Sequence, residues 1–140
     1  MQFTRAEEYG ILGIMHLAEQ APERIVPLSE VAETQEIPEK FLAKIFQNLT
    51  RSELVKSHRG VKGGFTLGRK PEKITVRHIV EAIQGEYHLI KCLHDKDCCS
   101  KYEFCPVRAV LEVAEKRLLQ VFGDYTLVDL IQWKKKHITT

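Results

Sequence analysis

The sequence predicts a mainly α-helical fold with a small β-hairpin, in which a winged helix-turn-helix domain is followed by a long C-terminal dimerisation helix. Apolar residues recur at helical spacing through most of the chain, and two short strand-like runs flank a glycine-rich tip at 59–64. A long apolar-periodic run follows Cys105. The chain has 140 residues, 44% of them hydrophobic, which suits one compact core. We assign residues 1–85 to the winged domain, 86–105 to a cysteine-rich loop, and 106–140 to the dimerisation helix and tail.

Capping residues and apolar spacing predict three helices in the first part of the chain. Thr4 and Glu7 are spaced as in a capping box, and the apolar residues that follow predict a helix to about Gln20. A short second helix is predicted from Leu28. Pro38 suits the first turn of a third helix, where a missing N–H is tolerated. The second and third helices, joined by a tight turn, form a helix-turn-helix.

A β-hairpin with a basic tip is predicted after the helix-turn-helix, with strands at 54–57 and 65–67. A hairpin in this position is a wing, and Arg59 at its tip is placed to enter a minor groove of DNA. The third helix and the wing together supply the candidate DNA contacts: Lys40, Lys44, Gln47, Arg51, His58, Arg59 and Lys62. For the helix residues, an ordinary solvated face is the alternative interpretation.

The positive charge of the chain is concentrated around the predicted wing. Between Arg51 and Arg77 there are eight basic and two acidic residues, a local charge of +6, which leaves −4 for the rest of a chain whose net charge is +2. A basic stripe on an otherwise slightly acidic protein favours a surface that faces phosphates. A solvated, lysine-rich loop would give the same count.

All four cysteines, Cys92, Cys98, Cys99 and Cys105, fall within one short segment. This clustering favours a bound metal or a redox event over structural disulfides, which join distant segments. Cys105 is expected where a helix begins, and a helix N-terminus favours the thiolate. Structural zinc sites usually pair cysteines about two to four residues apart, which differs from the spacing here. A structural zinc site and a metal-free thiol switch remain alternatives.

Three further helices are predicted in the second half of the chain, at 75–84, from Pro106 to about Gly123, and at 127–133 before a lysine-rich tail. The long helix carries a heptad seam: Val107, Leu111, Ala114, Leu118 and Val121. A monomer of this size would cover such a seam with difficulty, so we infer a homodimer packed along it. The seam could instead face the winged domain of the same chain.

The order of these motifs resembles the IscR/NsrR-type family of bacterial winged-helix transcription regulators, from Phe3 to about Leu130. Four motifs carry the resemblance: residues 4–9, residues 37–42, the wing at 57–67, and the loop Cys92-x6-Cys99-x5-Cys105. The resemblance implies a homodimer, by default a repressor, that binds a double-stranded DNA operator. It also implies an iron–sulfur cluster, 2Fe-2S or 4Fe-4S, that senses redox state, nitric oxide or iron–sulfur status.

The resemblance further implies a ligand set for this cluster. Cys92, Cys99 and Cys105 match the three family cysteines, with Cys98 as the other candidate for the middle ligand. One branch of the family uses a histidine after the third cysteine, but Arg108 stands there, and arginine cannot ligate iron. Glu8 matches the carboxylate that another branch takes from the partner subunit. His94 is a further possible ligand.

The sequence lacks the motifs of several other function classes. It has no phosphate loop opening a helix, no nucleophile elbow and no metalloprotease histidine pair, so we expect neither an enzyme nor a small-molecule substrate. The N-terminus has no basic and apolar leader, and no apolar run approaches the roughly 18 residues that span a membrane. We expect a cytoplasmic protein without a membrane partner, whose cysteines stay reduced.

Overall fold

The computed structural model describes residues 3–93, 95–98 and 100–138. Within these ranges the chain forms six α-helices and one antiparallel two-stranded sheet, which confirms the predicted fold class. The elements are α1 (Arg5–Ala18), α2 (Leu28–Gln35), α3 (Glu39–Arg51), β1 (Val55–His58), β2 (Gly64–Leu67), α4 (Val76–Gln84), α5 (Pro106–Asp124) and α6 (Leu127–Ile138). No helix in the described part of the chain is long and apolar enough to cross a bilayer.

The helix boundaries follow local capping chemistry. The predicted capping box of α1 is present, with the Glu7 carboxylate accepting from the N–H and hydroxyl of Thr4. The second helix ends at Gln35 and is capped by Glu36, which adopts the left-handed conformation with φ 56°. Pro38 lies one residue before α3 rather than inside its first turn. The tight turn at residues 36–38 joins α2 and α3 into the predicted helix-turn-helix.

The hairpin pairs Val55 with Leu67 and Ser57 with Phe65, so β1 lies one residue later than predicted and β2 begins one residue earlier than predicted. The chain before α2 adds a third, single-residue partner, because Val26 and Phe65 exchange backbone hydrogen bonds of 3.0 and 2.8 Å. This approach is close enough that a Cβ on Gly64 would lie 2.3 Å from the Val26 carbonyl oxygen. Only glycine allows the wing to pack so closely against the start of α2.

The main core lies between α1, α2, α3, α4 and the hairpin, and it also includes one fully buried residue of the C-terminal segment. Its fully buried members include Ile14, Val31, Leu42, Phe46, Leu49, Leu54 and Leu127. The N–H of Leu127 donates to the carbonyl of Ile74 at 2.9 Å. The start of α6 therefore packs into the same core as the winged domain.

The last helix differs from its prediction. It continues through the three lysines to Ile138, so the expected stop at Trp133 with a lysine tail is wrong. Lysine is a good helix former, and Lys134 is fastened to the winged domain by an ion pair with Glu19 at 3.0 Å. By contrast, α5 begins at Pro106 as predicted and ends one residue after Gly123.

Candidate nucleic-acid interface and metal-binding segment

The third helix presents its predicted polar stripe to solvent. Its apolar face, with Leu42, Ile45, Phe46 and Leu49, is buried. The four candidate contacts on the opposite side, Lys40, Lys44, Gln47 and Arg51, are all exposed. Their spacing of four, three and four residues places them along one face of the helix. The structure therefore brings these four residues onto one continuous, basic surface.

A groove of about 540 Å³ separates α3 from the hairpin. Gln47 and Arg51 line it from the helix, and Ser57 and Phe65 line it from the hairpin. Ser57 was not among the predicted DNA contacts. It lies two residues after the buried Val55, so both side chains are on the same face of β1. The groove lies between the helix and the wing, where a winged helix receives the DNA backbone.

The tip of the wing is fully open to solvent. Arg59 and Lys62 are exposed, and Val61 between them makes no packing contact that covers it. The turn is closed by the N–H of Gly63, which donates to Gly60, whose φ of 114° is accessible to glycine. These features suit a tip that enters a groove of DNA.

His58 occupies a different place from the other candidate contacts. Its Nε2 lies 2.9 Å from the hydroxyl of Thr66, and both side chains are half-buried. In the antiparallel register these residues lie on the hairpin face opposite Phe65. His58 therefore faces away from the groove beside α3.

An ion cluster holds the end of α1 to α2, behind the reading helix. Glu30 contacts the Arg24 guanidinium at 2.5 Å and His16 Nε2 at 2.9 Å. The hydrogen bond from Arg24, with a second contribution from His16, lowers the pKa of Glu30 from 4.5 to about 2. Sequence analysis did not find this cluster, because its members are separated by up to 14 residues and follow no motif.

Cys105 is the N-cap of α5, as the sequence predicted. Its sulfur accepts a hydrogen bond from the Arg108 N–H, with an S···N distance of 3.5 Å. Cys92 lies in a short 3-10 turn, and both of these half-buried cysteines are free thiols. The predicted ligand Cys99 lies outside the described residues, as do His94 and the side chain of Cys98. Which of the two adjacent cysteines is the middle ligand stays a prediction.

Arg108 fastens the end of the cysteine segment to α5. Its guanidinium lies over the Tyr102 ring at 4.4 Å, and its Nε donates to the Tyr102 carbonyl at 2.6 Å. It also pairs with Glu112 at 3.1 Å. Arg108 therefore orients the turn that carries Cys105.

A buried carboxylate fastens the other end of the segment. Glu115 accepts the N–H of Leu89 at 3.0 Å and contacts His88 Nδ1 at 3.1 Å, and the residue is only 9% exposed. Sequence reasoning missed Glu115, because its partners lie 26 and 27 residues away in the chain. The chain that leads to Cys92 and the chain that leaves Tyr102 are thus both attached to α5.

Glu8 and Cys105 lie towards opposite ends of α5. Phe3, next to α1, contacts Phe122 with ring centroids 6.1 Å apart, so the start of α1 lies near the C-terminal end of α5. Cys105 lies at the opposite end of α5, about 25 Å from Phe122 at the usual rise per residue of a helix. The Glu8 carboxylate is half-exposed and pairs with Arg5 at 3.0 Å. No three metal-binding side chains come together within the described residues.

The predicted seam of α5 divides into two faces. Val107, Ala114 and Val121 are exposed, whereas Leu111 is half-buried and Leu118 packs on the cluster of Val76, Val80 and Tyr87 in the same chain. Val110, which sequence analysis missed, is 67% exposed. Because it lies three residues after Val107 and four before Ala114, it belongs to the exposed stripe. We call Val107, Val110, Ala114 and Val121 the outer face of α5.

Comparisons with known proteins agree with this arrangement. The family model Rrf2, described as "Iron-dependent Transcriptional regulator", matches residues 3–133. This chain belongs to the Rrf2 family. It is 31% identical to an HTH-type protein of Aquifex aeolicus, over 99% of this chain and 96% of that protein. It is 29% identical to the HTH-type transcriptional regulator NsrR of Bacillus subtilis, over 96% and 93% of the two chains.

A solved structure shares the whole fold of this Rrf2 protein. The IscR of T. potens superposes with a TM-score of 0.80 at 26% identity, covering 100% of this chain and 93% of that one. The six helices and the hairpin are thus those of a winged-helix regulator. The Rrf2 protein described here is a DNA-binding transcriptional regulator and not an enzyme.

Proposed function

We propose that this Rrf2 protein is a homodimeric repressor that senses redox state, nitric oxide or iron–sulfur status through an iron–sulfur cluster. The ligands would be Cys92, Cys99, Cys105 and Glu8 of the partner subunit. The position of Cys105 supports this most strongly: a free thiol caps the helix whose outer face is apolar and exposed. A cluster held there would lie directly beside the subunit interface.

The DNA-binding half of the proposal rests on the basic surface of α3 and the wing. Lys40 and Lys44 are placed to contact phosphates or base edges near the start of the helix. Gln47 and Arg51 border the groove beside the hairpin, and Arg59, exposed at the wing tip, would enter a minor groove of the operator. A dimer would present two such surfaces to a pseudo-palindromic operator.

The described thiols suit an iron–sulfur cluster chemically. Cys92 and Cys105 are free and half-buried, and Cys105 lies at the N-terminus of α5. Thiolates are the usual ligands of such clusters, and a carboxylate is a harder, more readily exchanged ligand. When bound, the cluster would supply iron that reacts with oxygen or nitric oxide.

The position of Glu8 supports its delivery from the partner subunit. In each subunit Glu8 lies near one end of α5 and Cys105 lies at the other. If two copies pack their outer faces together with antiparallel helices, twofold symmetry places the beginning of one α5 beside the end of the other. Glu8 of the partner subunit would then approach Cys105.

The two attachments of the cysteine segment suggest how ligand changes reach the DNA-binding surface. Arg108 and Glu115 tie both ends of the segment to α5, and α1 packs directly against α3 and α4. Loss of a cluster that links α1 of one subunit to α5 of the other would change the relative position of the two α3 helices. Such a change shifts a population between two states, without any contact of the cluster with DNA.

Anaerobic purification tests this proposal. We expect a brown dimer that contains iron and sulfide, and whose operator affinity changes on treatment with nitric oxide or oxygen. A protein that stays colourless and free of iron and sulfide after reconstitution would rule out the sensor while leaving the DNA-binding function intact. Zinc in place of iron would indicate a structural metal site. Equal operator affinity of the cluster-bound, cluster-free and nitric-oxide-treated forms would remove the sensing function.

A further inference from the structure

A second groove, of about 650 Å³, lies behind the hairpin. The antiparallel register puts Lys56 and Thr66 on the hairpin face that lines this groove, and Phe65 on the other face. Phe65 packs on Phe46 of α3 with ring centroids 4.9 Å apart. The rear groove, as we call it, is therefore separated by the hairpin itself from the surface that reads DNA.

The floor of the rear groove is apolar. Leu17 and Ala18 at the end of α1, Ile25 in the following loop, and Leu67 on β2 line it. Ile25 is 39% exposed, so part of a large aliphatic side chain is left open to solvent in the groove. The volume falls within the range of about 300 to 1,000 Å³ that is usual for sites of small molecules.

The rim of the rear groove is basic. Lys56, Arg69 and Lys70 line it together with a single carboxylate, Glu23. Among the side chains that the structure describes, neither Lys56 nor Lys70 forms an ion pair, and Arg69 makes only a long hydrogen bond of 3.4 Å to the carbonyl of Ser52. These cations therefore have charge available for a ligand.

Arg24, also at this rim, does not add to the available charge. Its guanidinium is committed to Glu30 by hydrogen bonds of 2.5 and 2.9 Å. The positive charge available at the rim therefore comes from Lys56 in the hairpin and from Arg69 and Lys70, which follow it. This combination matches a ligand that has an anionic group and an apolar body.

The walls of the rear groove are held by close backbone packing. Val26 bridges to Phe65, and a Cβ on Gly64 would lie 2.3 Å from the Val26 carbonyl oxygen. On the other side, a Cβ on Gly68 would lie 2.3 Å from the carbonyl oxygen of Glu53. Neither strand can shift freely, so the groove is formed before any ligand arrives, and binding costs little reorganisation.

We propose that the rear groove binds a small organic anion, with a carboxylate, phosphate or sulfonate group attached to an apolar body. Lys56, Arg69 and Lys70 hold the anionic group at the rim, and the apolar body covers Ala18 and Ile25. An inorganic anion lacks the apolar contact, and a neutral apolar molecule leaves the cations unmatched. This site does not depend on the proposed iron–sulfur cluster.

Calorimetric titration of the full-length protein with 8-anilinonaphthalene-1-sulfonate tests the site, because this probe joins a sulfonate to an aromatic body. We expect it to bind at least about tenfold more tightly than inorganic phosphate or the neutral N-phenyl-1-naphthylamine, since each of those supplies only half of the interaction. NMR spectra should show the largest shifts at the amides of Thr66 and Leu67. Shifts confined to the outer face of α5 would overturn the proposal.

Matched lysine variants separate this site from the DNA surface. The double variant Lys56→Ala and Lys70→Ala should bind the probe about tenfold more weakly, while Lys73→Ala, an exposed lysine outside the groove, should stay within about twofold. Equal probe affinity in the double variant would refute the proposal. If that variant instead lost operator affinity and binding became less sensitive to salt, these lysines would serve DNA phosphates.

Discussion

Arg108 fixes the orientation of the turn that carries Cys105 by three different contacts. It stacks on the Tyr102 ring, donates to the Tyr102 carbonyl and pairs with Glu112. Its backbone N–H also donates to the Cys105 sulfur. A guanidinium makes several directional contacts from one side chain, which a lysine cannot reproduce. The thiol is thus presented in a defined direction at the helix end.

Replacing the arginine at the wing tip should separate DNA binding from the cysteine segment. Arg59→Ala is expected to weaken operator binding by about 1 to 3 kcal/mol, because an exposed guanidinium is lost from the tip. Electrophoretic mobility shift with purified operator would measure this, and the absorbance spectrum of the protein should not change. A variant that bound DNA normally would show that the wing tip does not contact the operator.

The choice between adjacent cysteines is tested by two matched variants. Cys99→Ala should remove the visible absorbance of anaerobically isolated protein, because it deletes the expected middle ligand. Cys98→Ala, which makes the same change one residue earlier, should retain it. If the spectra show the opposite pattern, Cys98 is the ligand and the predicted spacing is wrong.

Some of these residue functions follow from the sequence and others do not. The capping box of Thr4 and Glu7 and the N-cap position of Cys105 are local, so spacing alone predicted them. Glu115 is different, because its hydrogen bonds go to residues that only the folded chain brings near. A carboxylate in an apolar-periodic helix gives no sequence signal of such a partner.

Among the elements, α2 is joined to the end of α1 by the ion cluster around Glu30. Arg24 in the preceding loop and His16 on α1 both contact this carboxylate. The helix-turn-helix is thereby attached to α1 by charge as well as by apolar packing. The bounds of the hairpin and of α1 to α5 were predicted to within one or two residues, since turn glycines and apolar spacing mark their ends, whereas α6 continues five residues beyond its predicted end at Trp133.

The depressed pKa of Glu30 makes this attachment depend on pH. A carboxylate whose pKa falls from 4.5 to about 2 on folding stabilises the native state above pH 4.5, and this contribution is lost as the pH falls towards 2. The difference in unfolding free energy between the native protein and Glu30→Gln should therefore shrink below pH 4.5. Urea denaturation at several pH values would measure it, with Glu33→Gln, on the exposed side of α2, as the control. A difference that stayed constant down to pH 2.5 would contradict this.

The sixth helix packs into the main core through Leu127, and loss of this packing should destabilise the protein. Leu127 is fully buried in the main core, so Leu127→Ala is expected to destabilise the protein by about 2 to 5 kcal/mol. Thermal or urea denaturation would measure this, and the exposed Gln132→Ala on the same helix should change stability by less than about 0.5 kcal/mol. A small effect of Leu127→Ala would mean that α6 detaches from the core.

At the scale of the whole molecule, we propose the outer face of α5, which is apolar and exposed, as the surface on which a second copy packs. The predicted seam was partly misaligned with this face, because Leu118 turns inward to the cluster of Val76, Val80 and Tyr87. Heptad spacing alone does not tell which of two adjacent apolar stripes faces the same chain. That distinction required the position of α4.

Placing a charge on the outer face should prevent assembly. Val110→Glu is expected to shift the protein from dimer to monomer in sedimentation velocity, because two carboxylates would be buried across the twofold axis. Operator affinity should fall at least about tenfold, since each half-site is then bound independently. Gln120→Glu adds the same charge on an exposed part of α5 roughly 80° around the helix and should remain dimeric. A dimeric Val110→Glu variant would place the interface elsewhere.

The burial of Leu127 also bears on how the protein is made. A growing chain acquires this leucine only after all four cysteines have already been joined. Until then the main core lacks one of its buried residues. The newborn polypeptide thus completes the part that recognises the operator only after every thiol has been translated.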